Sequence, residues 1–145
     1  MWIQLTADTL LSRVTGPEQA KLNTAALKAG QTGVLDEIAL QIAKEWRGGL
    51  RKVTALDARE GYVPDELLIH MLADFRYRAY TRIPGMAELL DDLRVNEWNR
   101  ANQVRDALVK VSIQAPDAEH AETSATSGKP GPAIADPETD SILGW

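Results

Sequence analysis

The chain of 145 residues contains no cysteine, only two histidines and a single phenylalanine. Without cysteine it can form neither disulfides nor thiolate metal sites, and thiol catalysis is excluded. The longest uninterrupted apolar runs are only a few residues, too short to cross a bilayer, so we expect no membrane contact. The first residues, MWIQLTADTLLSRV, lack a basic region followed by an apolar one, and we therefore expect no signal peptide.

Histidine is scarce and cysteine absent, and the remaining candidates are poorly arranged for acid–base or metal chemistry. His120 lies in a proline- and glycine-rich region, and His70 precedes the apolar Met71, a position typical of a histidine at the edge of a core. Asp91 and Asp92 are adjacent, so on a helix they point about 100° apart and cannot readily share a proton or a metal. No glycine-rich phosphate loop is present. We predict no catalytic residue, no metal site and no cofactor, and hence not an enzyme.

Charge is distributed unevenly along the chain. Residues 1–111 contain 15 basic and 15 acidic side chains, whereas residues 112–145 contain six acidic side chains and one lysine. The net charge of −5 therefore resides in the last part of the chain. A neutral body argues against general nucleic-acid binding, which requires a basic domain.

Residues 1–111 predict an all-α fold, a small bundle of four to five helices. Thr6 is suited to cap the first helix, and Pro17 suits a first helical position. Alternation typical of a strand is absent except at residues 50–56, within a connector that spans residues 50–63. The last helical segment forms one helix or two with a joint near residues 94–96. The helices are expected at about residues 7–14, 17–30, 34–47, 64–83 and 86–111, with RGG at 47–49 ending the third.

Apolar residues recur every three or four positions in three of these helices, which indicates one buried face in each. The third helix is predicted to bury Leu35, Ile38, Ile42 and Trp46. The fourth is predicted to bury Leu68, Met71, Leu72, Phe75, Ala79 and Ile83. In the last, one face is predicted to hold Trp98, Ala101, Val104, Leu108 and Val111.

The polar stretch RYRAYTR ends the fourth helix. Arg78 and Arg82 are four residues apart and share a face, and arginine beside tyrosine suits a phosphate backbone, a neighbouring subunit or an acidic segment. The alternative is a solvated face on which Asp74 pairs with Arg78. We predict subunit contacts through the polar side chains of this stretch: Arg76, Arg78, Tyr80 and Arg82. A second basic cluster, Arg47, Arg51 and Lys52, lies at a helix C-terminus, where cations are favoured in any case.

Residues 112–145 are predicted to form an extended tail, rich in proline, glycine and serine, that is acidic and has an apolar tip. Fixing the backbone costs about 1–2 kcal/mol per residue. Burying a tryptophan such as Trp145 returns only about 4–6 kcal/mol. Holding the tail in place therefore requires contacts along its length, and we predict that other molecules provide them; contact with its own domain is the alternative. The predicted anchor residues are Pro137, Ile142, Leu143 and Trp145.

Four stretches together resemble a known protein family: WIQLTADTLLSRV, LDEIALQIAKEWRGGL, VPDELLIHMLADFRYRAYTRIPG and VNEWNRANQVRDALVKVSIQAP. Their order and pattern resemble the small helical head–tail connector (adaptor, or head-completion) proteins of tailed bacteriophages, in particular the Mu-like connector family. Two features depart from it. The connector RGGLRKVTALDAREGYVP replaces a shorter turn of tyrosine and proline, and SIQAP stands where the family commonly has a glycine.

The resemblance implies a ring of identical subunits, commonly a dodecamer, bound beneath the portal protein. Such a ring extends the channel through which DNA passes as cargo and docks the next tail component, a stopper. The tail would anchor to the portal or to neighbouring subunits, and the protein would be made in the host cytoplasm and reside in the virion. The alternative from the residues alone is a soluble helical interaction or regulatory module whose acidic tail binds a protein partner.

Overall fold

The structure, a computed structural model, describes residues 1–28, 30 and 33–122. These residues are mostly helical, which confirms the predicted all-α class, and a two-stranded sheet accompanies the helices. In chain order the elements are β1 (Trp2–Gln4), α1 (Ala7–Leu11), α2 (Gly16–Lys28), α3 (Val34–Leu50), β2 (Tyr62–Pro64), α4 (Leu68–Arg82) and α5 (Asp92–Asp106). Short 3₁₀ turns cover Asp65–Leu67, Ala87–Leu89 and Leu108–Lys110.

α1 and α2 begin and end close to where the sequence predicts. Thr6 is extended, and its Oγ1 accepts a hydrogen bond from the backbone N of Thr9 at 3.1 Å, which is the expected N-cap. α2 contains Pro17 at its start and ends at Lys28. Gly30 follows with φ +71°, in the left-handed region that glycine adopts without strain.

α3 buries all four residues of its predicted face but does not end at the RGG sequence, so that prediction was wrong. The helix continues through Gly48 and Gly49, each of which costs about 1 kcal/mol relative to alanine in a helix. Packing offsets this cost, because Trp46 and Leu50 lie fully buried one turn apart. Gly49 also permits a close approach: a Cβ at this position would lie 3.1 Å from the Cδ1 of Leu108.

The two strands of the sheet lie shortly before α1 and shortly before α4 in the sequence. Residues 50–56, where the sequence showed the only alternation typical of a strand, form no strand. β1 and β2 pair antiparallel, with Trp2 opposite Pro64 and Gln4 opposite Tyr62. Each strand has three residues, too few for a two-residue alternation to be recognised in the sequence. The sheet nevertheless contributes to the core, since Trp2 and Val63 are buried.

α4 is the central helix and packs against α1, α3 and α5. Every residue of its predicted apolar face is buried: Leu68, Met71, Leu72, Phe75, Ala79 and Ile83. The chain then turns at Pro84 and Gly85, where Gly85 has φ +86°. The predicted end of this helix is therefore confirmed. Its predicted start at residue 64 was wrong, because Pro64 pairs in β2 and a 3₁₀ turn precedes α4.

The last helical segment divides earlier than predicted. The break lies at Leu90–Asp91 and not at residues 94–96, because the Oδ1 of Asp91 accepts a hydrogen bond from Arg94 N at 3.0 Å and caps α5. Of the predicted face, Ala101 and Leu108 are buried and Val104 and Val111 pack against the core in part. Trp98 instead stacks on Tyr77, with ring centroids 3.8 Å apart.

The residues that follow the last 3₁₀ turn, 112–122, run back along the body. Trp2 Nε1 donates a hydrogen bond to the Gln114 carbonyl at 2.8 Å, and Gln114 N donates to a carboxylate oxygen of Glu66 at 2.8 Å. Farther along, Glu122 N donates to the Leu56 carbonyl at 2.7 Å. The described part of the predicted tail thus contacts its own body, and residues 123–145 lie outside the described residues.

Candidate functional site

The four side chains predicted to make subunit contacts, Arg76, Arg78, Tyr80 and Arg82, all lie on α4. Each of them is bound to a carboxylate of the same chain. For Arg78 this includes Asp74, which was the alternative interpretation of the sequence. An intersubunit role for these residues stays a prediction, and the structure gives every one of them an acidic partner within the subunit.

Asp74 is the centre of a buried polar cluster that joins α3, α4 and α5; we call it the Asp74 cluster. Its side chain is 1% exposed. One carboxylate oxygen accepts from Arg78 Nε at 2.8 Å and Trp98 Nε1 at 3.3 Å. The other accepts from Arg78 Nη2 at 3.2 Å and Trp46 Nε1 at 3.3 Å, and Arg105 Nη1 lies 3.7 Å from it. The buried charge is therefore neutralised and hydrogen-bonded, as a buried ion requires.

Glu45 closes the exposed side of the Asp74 cluster. It accepts two hydrogen bonds from Arg78, at 2.7 and 3.0 Å, and one from Arg105 at 3.3 Å. The hydrogen bonds between Arg78 and Glu45 raise the pKa of Arg78 and lower the pKa of Glu45. Both groups therefore stay charged, and the cluster fixes the three helices relative to one another.

Glu18 of α2 holds the opposite part of α4. Arg76 donates to both of its carboxylate oxygens, at 3.0 and 3.1 Å, and the Tyr80 hydroxyl donates to one of them. Burial alone would raise the pKa of Glu18, but the hydrogen bonds from Tyr80 and Arg76 outweigh it and lower the pKa. Because the Arg76 and Glu18 side chains are only 14% and 12% exposed, this bidentate pair fastens α2 to the core.

The basic residues at the C-terminal end of α3 bind nearby oxygens. Arg47 donates to the Tyr62 and Asp57 carbonyls at 2.7 and 2.8 Å. Arg47 and Arg51 also pair with Glu122, at 3.5 and 3.0 Å. This cluster connects α3, the connector and the returning segment 112–122, so its role within the described residues is structural.

An open groove of about 460 Å³ lies between α4, α5 and Arg13; we call it the arginine groove. Arg13, His70 and Arg100 line it together with Ile69, whose side chain is 70% exposed. Burial, and next the charge of Arg100, lower the pKa of His70, so this histidine is neutral near pH 7.

Arg13 and Arg100 differ from the other arginines of the chain. Eight of the ten arginines pair with a carboxylate. Arg13 and Arg100 have no acidic partner among residues 1–28, 30 and 33–122. The sequence predictions did not identify this groove, although Ile69 gave a signal: it is a large apolar residue next to the predicted buried face of α4 and not on it.

One set of predicted functional residues, the anchor of the tail, cannot be located in the fold. The anchor residues Pro137, Ile142, Leu143 and Trp145 lie outside the described residues. Within the described ranges, no group of three or more His, Asp or Glu side chains is placed to hold a metal ion. None of the described helices has the length and apolarity needed to cross a membrane.

Comparison of the chain with protein-family models, with curated proteins and with solved structures gives no match.

Proposed function

We propose that the chain is a non-enzymatic structural subunit of a bacteriophage head–tail connector ring, bound beneath the portal protein. The main support is the location in the fold of the four stretches that resemble the connector family. They correspond to β1 with α1, to α3, to β2 with α4, and to α5. Because α4 packs against α1, α3 and α5, the resemblance covers the parts that build one core and not scattered surface segments.

The rigidity of the body supports this role. A closed ring needs subunits with two different lateral faces held at a constant angle. In this chain the Asp74 cluster ties α3, α4 and α5 together, and the Glu18 carboxylate ties α2 to α4. These ion pairs use charged side chains that would otherwise be available for chemistry, which favours a structural part over an enzyme.

The charge of the body also suits a channel through which DNA passes. Residues 1–111 carry equal numbers of acidic and basic side chains. Eight of the ten arginines are paired, so most of the positive charge is neutralised locally and would not hold a phosphate backbone. A lining with this charge lets DNA slide, whereas a basic lining would retain it.

The test is co-expression of the full chain with the portal protein encoded in the same genome, followed by purification and averaging of electron micrographs. The proposal expects a closed ring of this chain on one end of the portal, with twelve copies as the first expectation. Failure to bind the portal, together with absence of the chain from purified virions by mass spectrometry, would overturn it. Recovery with a non-virion protein would support the interaction-module alternative.

Subunit contact through α4 can be tested at one residue without damage to the fold. Arg82 pairs with Glu37 at 2.6 Å, and the two side chains are 44% and 55% exposed, so the pair adds little stability. Arg82→Glu should weaken ring formation if this surface lies between subunits, while Lys110→Glu serves as the matched charge reversal. Equal assembly of both variants would remove Arg82 from the interface.

A further inference from the structure

The arginine groove contains cations that the described part of the subunit does not neutralise. Arg13 and Arg100 are exposed and line the same groove. Glu97 also lines it, but this carboxylate is already bound to Arg94 at 2.8 Å. Among the described residues every other arginine is paired with a carboxylate, and two arginines that line one groove indicate a place for an acidic ligand.

The same groove has an apolar side. Ile69 is the large hydrophobic residue with the highest exposure in the described chain, at 70%, and Leu72 and Ala73 form the wall beside it. An exposed isoleucine next to two cations suits a ligand that carries both acidic and apolar side chains. A free phosphate would satisfy only the arginines and would leave Ile69 in water.

The chain itself contains a segment with these properties. Within residues 136–145, Asp136, Glu138 and Asp140 provide three negative charges, and no basic residue is present. Ile142, Leu143 and Trp145 follow within the same ten residues. We propose that the arginine groove binds segment 136–145 of the same chain, with the acidic side chains at Arg13 and Arg100 and the apolar ones at Ile69.

The length of the intervening chain permits this contact. Glu122 is held by Arg47, which also binds the carbonyl of Tyr62, six residues before α4 begins, so the described chain ends on the body itself. A chain of thirteen residues, the number between Glu122 and segment 136–145, spans about 20 Å as a random coil and at most about 45 Å when fully extended. A compact domain of about 120 residues has a radius of gyration of about 14 Å. The segment can therefore reach the groove without rearrangement of the body.

Binding of segment 136–145 in the arginine groove would occur in the free subunit, before any assembly. It therefore goes beyond the proposed connector function. An apolar tip with Ile142, Leu143 and Trp145 would promote aggregation if it stayed exposed. Docking in the groove covers it at a high effective concentration because tip and groove belong to one chain. A partner that binds the tip more tightly would then displace it and expose the groove, whatever that partner is.

Fluorine NMR of the full chain labelled with 5-fluorotryptophan tests the proposal. The chain has four tryptophans, and Trp145→Phe identifies the resonance of Trp145. We expect this resonance at low salt to be shifted from the position of a solvent-exposed indole, and to return to it at high salt. The resonances of Trp46 and Trp98, both in the Asp74 cluster, report on the same spectra whether the body stays folded.

Two groove variants, each with a matched control variant, test whether the shift of the Trp145 resonance arises from the groove. Arg13→Glu with Arg100→Glu should abolish the Trp145 shift, whereas Lys44→Glu with Lys110→Glu, which reverses two exposed charges elsewhere, should retain it. Ile69→Ser should likewise abolish the shift. Its control, Leu93→Ser, changes a residue that is 61% exposed and does not line the groove, and should leave the shift unchanged.

Three results would overturn the proposal. The first is a Trp145 resonance at the exposed position in the unaltered chain at low salt. The second is equal behaviour of the groove variants and their controls while the Trp46 resonance shows an intact fold. The third is a shift that appears only as protein concentration rises, which would mean that the segment binds a second copy.

Discussion

The Asp74 cluster and the arginine groove both place arginines beside apolar residues on α4, yet they have opposite characters. In the cluster, Arg78 and Arg105 converge on a carboxylate that is 1% exposed. In the groove, Arg13 and Arg100 face solvent and have no acidic partner among the described residues. The residue type is the same, and the presence of a buried acid decides which arginines hold the fold together.

The contrast originates in helix geometry. Arg100 and Arg105 both lie on α5, five positions apart, and so point about 140° from each other. Arg105 reaches Glu45 and Asp74, and Arg100 reaches the opposite side of α4. A single helix thereby contributes one arginine to the Asp74 cluster and one to an open surface, and substitutions on the two sides should have very different effects.

The largest effect is expected from Asp74→Asn. The change removes the buried charge that Arg78 and Arg105 neutralise and puts an amide donor against the indole N–H of either Trp46 or Trp98. Breaking a buried ion pair on one side costs about 3–5 kcal/mol. Urea denaturation followed by circular dichroism should show this loss in the free energy of unfolding.

Asp106→Asn is the control for that measurement. Asp106 is exposed at the end of α5 and has no ion-pair partner among the described residues. Its substitution should change the free energy of unfolding by less than about 0.5 kcal/mol. Similar values for Asp74→Asn and Asp106→Asn would mean that the Asp74 cluster does not stabilise the fold.

A smaller loss is expected from Glu18→Gln, which weakens the contact of α2 with Arg76 and Tyr80. Hydrogen bonds to charged groups contribute about 1.5–3 kcal/mol, so a loss of about 1–3 kcal/mol is expected. Because the folded pKa of Glu18 lies below its ordinary value of 4.5, the difference from the unaltered chain should be complete above that pH. The difference in the free energy of unfolding should shrink as the pH falls through the pKa of Glu18 in the folded chain.

The exposed pair of Lys21 and Glu88 provides the comparison for Glu18. The Glu88 side chain is 74% exposed and lies 3.7 Å from Lys21, so Glu88→Gln should have almost no effect. A pH-independent difference for Glu18→Gln would mean that the charge of Glu18 is not what holds α2.

The apolar pattern of the sequence predicted most of the helical framework. Leu35, Ile38, Ile42 and Trp46 recur over three turns, and burial of the whole set follows from period alone. The strands could not be predicted, because three residues such as Trp2–Gln4 carry no recognisable period. The continuation of α3 through its two glycines depends on the burial of Trp46 and Leu50 in the folded core, and local propensity has no access to that packing.

The arginine-rich stretch of α4 was recognised, but the partners of its side chains were not. Spacing of four residues predicted the Asp74–Arg78 pair as an alternative. The contacts of Arg76 with Glu18 and of Arg78 with Glu45 join residues 58 and 33 positions apart, and only the packed helices bring them together. The arginine groove was missed for the same reason, since Arg13 and Arg100 come to line one groove only in the fold.

A gain in stability is expected from one glycine of α3 and not from its neighbour. Gly48 has open space at the position of a Cβ, so Gly48→Ala should raise the free energy of unfolding by about 0.5–1 kcal/mol. A Cβ at Gly49 would lie 3.1 Å from Leu108, so Gly49→Ala should gain less or lose stability. Thermal unfolding of both variants measures the two effects: Gly48→Ala reports helix propensity alone, and Gly49→Ala reports helix propensity together with packing against Leu108. Equal gains would show that Leu108 moves aside at no cost.

The smallest effect on stability is expected from Arg100→Ala in the arginine groove. Arg100 is exposed and no carboxylate among the described residues binds it, so the free energy of unfolding should change by less than about 0.5 kcal/mol. Arg105→Ala on the same helix removes a contact with Glu45 and Asp74, at 3.3 and 3.7 Å, and should cost more. Urea denaturation of the two variants under identical conditions measures the contrast between groove and cluster directly. If Arg100→Ala destabilised the chain as much as Arg105→Ala, Arg100 would be structural, and the groove would not be an open binding surface.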